Sequence, residues 1–196
     1  MIFYIAKFLF WISGWKLNNQ MPKGVRRSVM IASPHTSNWD FFYARIAFML
    51  MGIPVKFTVK KEWLKFPFNL IMNPLGAIGI DRSPKAGNTE RKSMVDAMAE
   101  IFEGKEEMVV LVTPEGTRSK VTKWKSGFYY VAVTAKVPIT LGYLDYKHKV
   151  AGVGKVVYPT GNYMKDMKII MDFYKDINAR YPEKFSVDLE VMESNQ

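Results

Sequence analysis

The chain has 196 residues, 48% hydrophobic and 23% charged, which suits one domain with a sizeable core and excludes a disordered or fibrous class. No cysteine occurs, so disulfides, thiolate metal sites and a cysteine nucleophile are excluded. The net charge is +10; residues 176–196 hold two basic against five acidic side chains, so residues 1–175 carry +13, a field that attracts anionic lipid surfaces or nucleic acid.

The first fifteen residues, MIFYIAKFLFWISGW, carry one charge, Lys7. The run is shorter than the roughly 20 apolar residues that a spanning helix needs, and it lacks the basic start and small-residue cleavage site of a signal peptide. It reads as an amphipathic helix lying in a membrane interface, with Trp11 and Trp15 at headgroup depth and Lys16, Lys23, Arg26 and Arg27 behind them. An ordinary helix packed on the core is the alternative. Residues 1–24 are expected to be this helix and a linker, and residues 25–196 the domain.

Ser28 to Ala32 reads as a buried strand, and Asn38 to Leu50 as a long apolar helix stopped by Gly52 and Pro54. Val55 to Val59 is a second strand. Lys60 to Pro74 is aromatic and proline-interrupted, so a short helix and loop are expected. Ala77 to Ile80 is a third strand. From Thr89 to Glu103, apolar positions at i, i+3, i+4, i+7 and i+8 predict an amphipathic helix. Met108 to Val112 is a fourth strand, apolar throughout as in a sheet covered on both faces. Gly127 to Ala135 reads as helix, Ile139 to Tyr146 and Val150 to Tyr158 as two strands, and Asn162 to Ala179 as a last helix. Strands alternating with helices predict a single α/β domain with a mostly parallel sheet and helices on both faces.

Of the two histidines, His148 sits in a lysine-flanked turn and reads as a solvated loop residue, whereas His35 follows the first strand in the string PHTSNWD. Asp40 opens the next helix. An imidazole can take a proton from an attacking hydroxyl when a carboxylate fixes its tautomer and steadies the imidazolium. A second string, TPEGTRSK, follows the fourth strand and sets Glu115, Gly116, Thr117 and Arg118 where ligand sites of α/β sheets gather. The planar fork of Arg118 suits phosphate. Arg82, in GAIGIDRS, is a further anion clamp. Two isolated histidines give no metal site.

In order and spacing, these blocks resemble the glycerolipid acyltransferase family of the lysophosphatidate acyltransferase type. His35, Ser37 and Asp40 match its H-x-S-x-x-D block, and Ile80 to Ser83 with Arg82 resembles its second block. Pro114 to Ser119 matches its P-E-G-T-R-S block, and Val137, Pro138 and Ile139 match the start of its V-P-I block. The chain departs from the pattern at Thr113, where phenylalanine is usual, and in lacking a second proline after Pro138. The resemblance implies that His35 is a general base oriented by Asp40. Ser37, Arg82, Glu115, Gly116, Thr117 and Arg118 would then bind a lysophospholipid acceptor. The acyl donor would be acyl-CoA or acyl carrier protein, as a co-substrate and with no cofactor. The partners implied are membrane lipids and no nucleic acid, at the cytoplasmic face of the cell membrane. Phe41, Phe42, Phe48, Trp63, Phe66 and Phe68 are expected to line an acyl groove. A non-catalytic binder of anionic lipid and a hydrolase of thioesters or lipid esters remain as alternatives.

Overall fold

The computed structural model describes residues 2–59, 61–80 and 93–193. Its seven strands are β1 (Lys16–Asn19), β2 (Arg27–Ala32), β3 (Val55–Val59), β4 (Ala77–Gly79), β5 (Met108–Val112), β6 (Ile139–Asp145) and β7 (Val150–Val157). They form one sheet in the order β1-β7-β6-β2-β5-β3-β4. Every neighbouring pair is parallel except the hairpin β6–β7. The helices are α1 (Ile2–Ile12), α2 (Asn38–Leu50), α3 (Asn69–Leu75), α4 (Met94–Ala99), α5 (Gly127–Ala135), α6 (Tyr163–Tyr174) and α7 (Leu189–Glu193).

Alternation along the central strands divides the core in two. Val29 and Ile31 of β2, with Val110 of β5, face the layer of α4, α5, α6 and α7, where Phe102, Phe128, Met167, Met171 and Tyr174 are buried. Met30 and Val109 face the opposite layer, formed by α1 and α2 through Ala6, Phe10, Ala47 and Phe48. The sheet is therefore covered on both faces, and its central strands are apolar on both sides for that reason.

The N-terminal segment departs from its reading in two places. Trp15, expected at headgroup depth, is only 7% exposed, because it packs between Phe10, Tyr43 and Tyr146. Lys16–Asn19, expected as linker, pairs with β7 as a parallel edge strand. Its sequence KLNN gives no apolar run because most of its side chains meet solvent. Trp11, by contrast, is 72% exposed.

The β1–β7 pairing requires a glycine. Asn18 lies opposite Gly152, and a Cβ added there would overlap the Asn18 carbonyl. Backbone cannot swing aside as a side-chain tip can, so Gly152→Ala should separate β1 from the sheet. The expected loss is about 3 kcal/mol, the upper end of overpacking costs, read as a lower denaturant midpoint.

Candidate active site

Residues 33–37 carry the chain from β2 to α2 at the carboxyl edge of the parallel strands, where ligands bind in α/β sheets. The helix begins here because of a capping box. Ser37 is extended (φ −147°, ψ 156°), its hydroxyl accepts the Trp39 N–H, and Asp40 reaches back to the Ser37 N–H. Asp40 Oδ2 accepts the N–H groups of Thr36 and Ser37, each at 2.7 Å. Oδ1 accepts the Tyr146 hydroxyl at 2.7 Å. The carboxylate is buried, so these three donors replace its lost hydration and fix its rotation. His35 Nδ1 stands 3.5 Å from Oδ2, a loose approach of the kind that tightens when substrate is bound. Burial, with the Asp40 carboxylate accepting its proton, pushes the Tyr146 phenol well above its ordinary value, so it stays a donor.

Glu115 lies behind this turn. Its Oε1 accepts the Ser33 hydroxyl (2.8 Å) and the His35 backbone N–H (3.1 Å). Its Oε2 has no partner among the described residues, and the side chain is 6% exposed. Expected from sequence in the acceptor pocket, Glu115 instead pins the backbone that presents His35. Burial holds its carboxyl above the ordinary value against the pull of these two hydrogen bonds. A raised folded value means that the native state binds the proton more tightly than the unfolded chain. Stability from this group is thus fully present below the ordinary carboxylate range and is lost as pH rises through the folded value. Glu115→Gln cannot ionise, so its melting temperature should gain on that of the wild type as pH rises from the ordinary carboxylate range of about 4. Parallel melting curves over that rise check it.

The other expected ligands divide. Ser37 is spent on the helix cap. Gly116 is exposed at φ 66°, with the Lys125 side chain against it. The Thr117 hydroxyl accepts the Ser119 N–H within its own turn. Arg82 falls outside the described residues. Of the TPEGTRSK group, Thr113 and Arg118 line a cavity of about 350 Å³ together with His35 and Asp40, and Arg118 is the one expected ligand among them.

That cavity opens between α2 and the sheet. Phe41, Ala44, Arg45 and Phe48 of α2, Val55, Phe57 and Thr58 of β3, and Leu111 of β5 contribute to its wall. Of the six aromatics expected along a groove, Phe41 and Phe48 line it. Phe42 turns instead onto Trp39 and Tyr43, and Trp63, Phe66 and Phe68 belong to the exposed segment between β3 and β4. Arg45 was not singled out from sequence, because a lone arginine in an apolar helix carries no motif. Among the described residues, neither Arg45 nor Arg118 has an ion-pair partner, and both line the cavity. His148 stands exposed in its turn as expected, pairs there with Asp145 at 2.9 Å, and does not line the cavity. No cluster able to hold a metal ion occurs among the described residues.

The sequence model of the Acyltransferase family matches residues 16–140, a stretch containing both the His35–Asp40 turn and the Glu115–Arg118 turn. The chain belongs to the acyltransferase family. The fold of this acyltransferase is similar to that of a protein from Thermotoga maritima, described as the 1-acyl-sn-glycerophosphate (LPA) acyltransferase PlsC. The two are 17% identical with a TM-score of 0.56, over 99% of this chain and 78% of that one. None of the curated proteins compared with the chain matches it. Family membership makes this acyltransferase an enzyme of acyl transfer, so the non-catalytic reading gives way. The family match ends inside β6, before Tyr146, the residue that closes the third hydrogen bond on Asp40.

Proposed function

We propose that this acyltransferase moves a fatty acyl chain from acyl-CoA or acyl carrier protein to the hydroxyl of a lysophospholipid such as lysophosphatidic acid. The observation that carries the reading is the His35–Asp40 pair lining a largely apolar cavity that Arg118 also lines. With Asp40 beside Nδ1, the proton is held there and Nε2 is left as the base. Nε2 takes the acceptor proton as the oxygen attacks the thioester carbonyl carbon. The tetrahedral oxyanion collapses, the carbon–sulfur bond breaks, and the imidazolium returns the proton to the leaving thiolate. A thioester is already activated, so no covalent enzyme intermediate enters. Apolar walls favour transfer over hydrolysis by keeping water from the thioester.

Arg118 is assigned to the acceptor phosphate. A charge-assisted hydrogen bond is worth about 1.5–3 kcal/mol, so Arg118→Ala should raise KM for a phosphate-bearing acceptor about 10- to 100-fold. The smaller change should fall in kcat, and Arg118→Lys should restore only part because the ammonium cannot bind two oxygens in a plane.

The place of work we assign is the cytoplasmic face of the cell membrane, with α1 as the interfacial helix of residues 1–24. Supporting this, Ala6 and Phe10 face α2 while Tyr4, Phe8, Trp11 and Ile12 stand exposed. No described helix is long and apolar enough to cross a membrane. The test of function is incubation with radiolabelled acyl-CoA or acyl carrier protein and a panel of lysolipids. Label in one lysolipid product supports the reading, and label only in free fatty acid makes the enzyme a hydrolase.

A further inference from the structure

Between β3 and β4 the chain leaves the sheet as a 3₁₀ turn (Lys61–Leu64) followed by α3. The sequence predicted that its aromatics would line a groove. They do not. Phe66, Leu70 and Ile71 are 79%, 65% and 63% exposed, Trp63 and Phe68 are about half exposed, and α3 has no buried residue. Leu64, Met72 and Leu75 are half-buried beneath it, and Trp63 packs on Phe68 at 5.2 Å.

An apolar projection of this size needs a cover. The sequence of residues 81–92, DRSPKAGNTERK, holds no large apolar side chain. The charge pattern identifies the occupant. Lys60, Lys61 and Lys65 precede the projection with Glu62 as the one acid among them, and residues 66–80 carry no charge. Lysines followed by Trp and Phe and then an uncharged apolar stretch form the signature of an element set in the headgroup and upper acyl layers of anionic lipid. A protein-binding patch would carry a polar rim around its apolar centre, whereas α3 is apolar all round apart from two asparagines. The position also fits. Phe57 and Thr58 of β3 line the cavity, and the projection begins two residues after β3 ends. Phe57 stacks edge-on against Phe41 of α2, itself exposed and lining the cavity.

We propose that residues 61–75 form a second lipid-contact element, separate from α1, which inserts beside the cavity and joins it to the acyl layer from which substrate enters. This rests on the reading that the enzyme works on lipids at a membrane surface. The two elements leave the fold on different parts of the chain: α1 leads into edge strand β1, and residues 61–75 lead into β4 at the opposite edge.

The absence of cysteine permits a clean test. Phe66→Cys, Leu70→Cys, Trp11→Cys and, as a control on exposed α6 surface, Lys165→Cys would each be labelled with an environment-sensitive fluorophore. Each is then mixed with phosphatidylethanolamine–phosphatidylglycerol vesicles. All four positions are exposed, so the variants should fold, which circular dichroism checks. The expected result is a blue shift and quenching by bilayer-buried quenchers at positions 66 and 70 but not at 165. A shift at position 11 with none at 66 or 70 overturns this element and leaves the membrane reading standing. No shift at any position, with no co-sedimentation, overturns both. A second variant, Phe66→Ser/Leu70→Ser/Ile71→Ser, should weaken vesicle binding about tenfold or more and leave turnover of detergent-dispersed substrate unchanged. Vesicle binding equal to the wild type overturns the proposal.

Discussion

His35→Ala should lower the rate of acyl transfer about 10²- to 10⁴-fold, the usual contribution of a positioned general base. The loss should lie in kcat, because the alanine variant keeps the cavity walls and Arg118 that bind substrate. Stability should change little. Among the described residues the His35 side chain makes no approach closer than its 3.5 Å to Asp40, and Glu115 grips its backbone N–H rather than its ring. Steady-state kinetics beside a melting curve separates the two effects. An alanine variant that turns over at the wild-type rate would remove His35 from the chemistry altogether.

Asp40→Asn is the sharper experiment, since it separates two tasks of one side chain. The amide oxygen can take over the N–H groups of Thr36 and Ser37, so the helix cap survives. The amide nitrogen can then donate to the Tyr146 hydroxyl, which held Oδ1. What disappears is the charge that steadies the imidazolium beside it. Activity should fall about 10²- to 10⁴-fold, in line with charge removal from a carboxylate–imidazole pair, with melting almost unmoved. Asp40→Ala should lose the same activity and, in addition, about 1–3 kcal/mol of stability, because it leaves buried donors without partners. If the asparagine variant melts as early as the alanine variant, the cap account fails. If it stays active, the base does not depend on that charge.

The sequence made much of this visible, and for a physical reason. Asn38–Leu50, Val55–Val59, Met108–Val112 and Gly127–Ala135 emerge with the bounds read from their apolar runs, because each is an interior element whose ends are marked by local signals. Where burial comes from distant packing, the reading failed. Trp15 was taken for an interfacial residue because nothing nearby in sequence announces Tyr146, 131 positions on, whose ring it meets at 5.1 Å. β1 was invisible because an edge strand does not need apolar side chains. The site divides in the same way. His35 and Asp40 are joined by a short turn, and their approach followed from spacing. Tyr146 reaches Asp40 from 106 residues away, and Glu115 holds His35 from 80 residues away, so neither role leaves a pattern in the chain. Of the four ligands read from the TPEGTRSK string, Glu115 lies behind His35, Arg118 lines the cavity, and Gly116 and Thr117 lie in the connecting turn.

The parallel pairing of β1 with β7 also sets an order in time. Lys16 meets Val150, so β1 waits unpaired while about 134 further residues are synthesised, on the order of ten seconds at ribosomal speed. α2, whose surface receives Ala6 and Phe10, is made far sooner. For that interval α1 rests on a partial scaffold with its outward apolar side uncovered, before the edge of its sheet exists. Contacts of such long sequence separation close late and slowly, which makes the edge strand a seal applied to a sheet already assembled behind it.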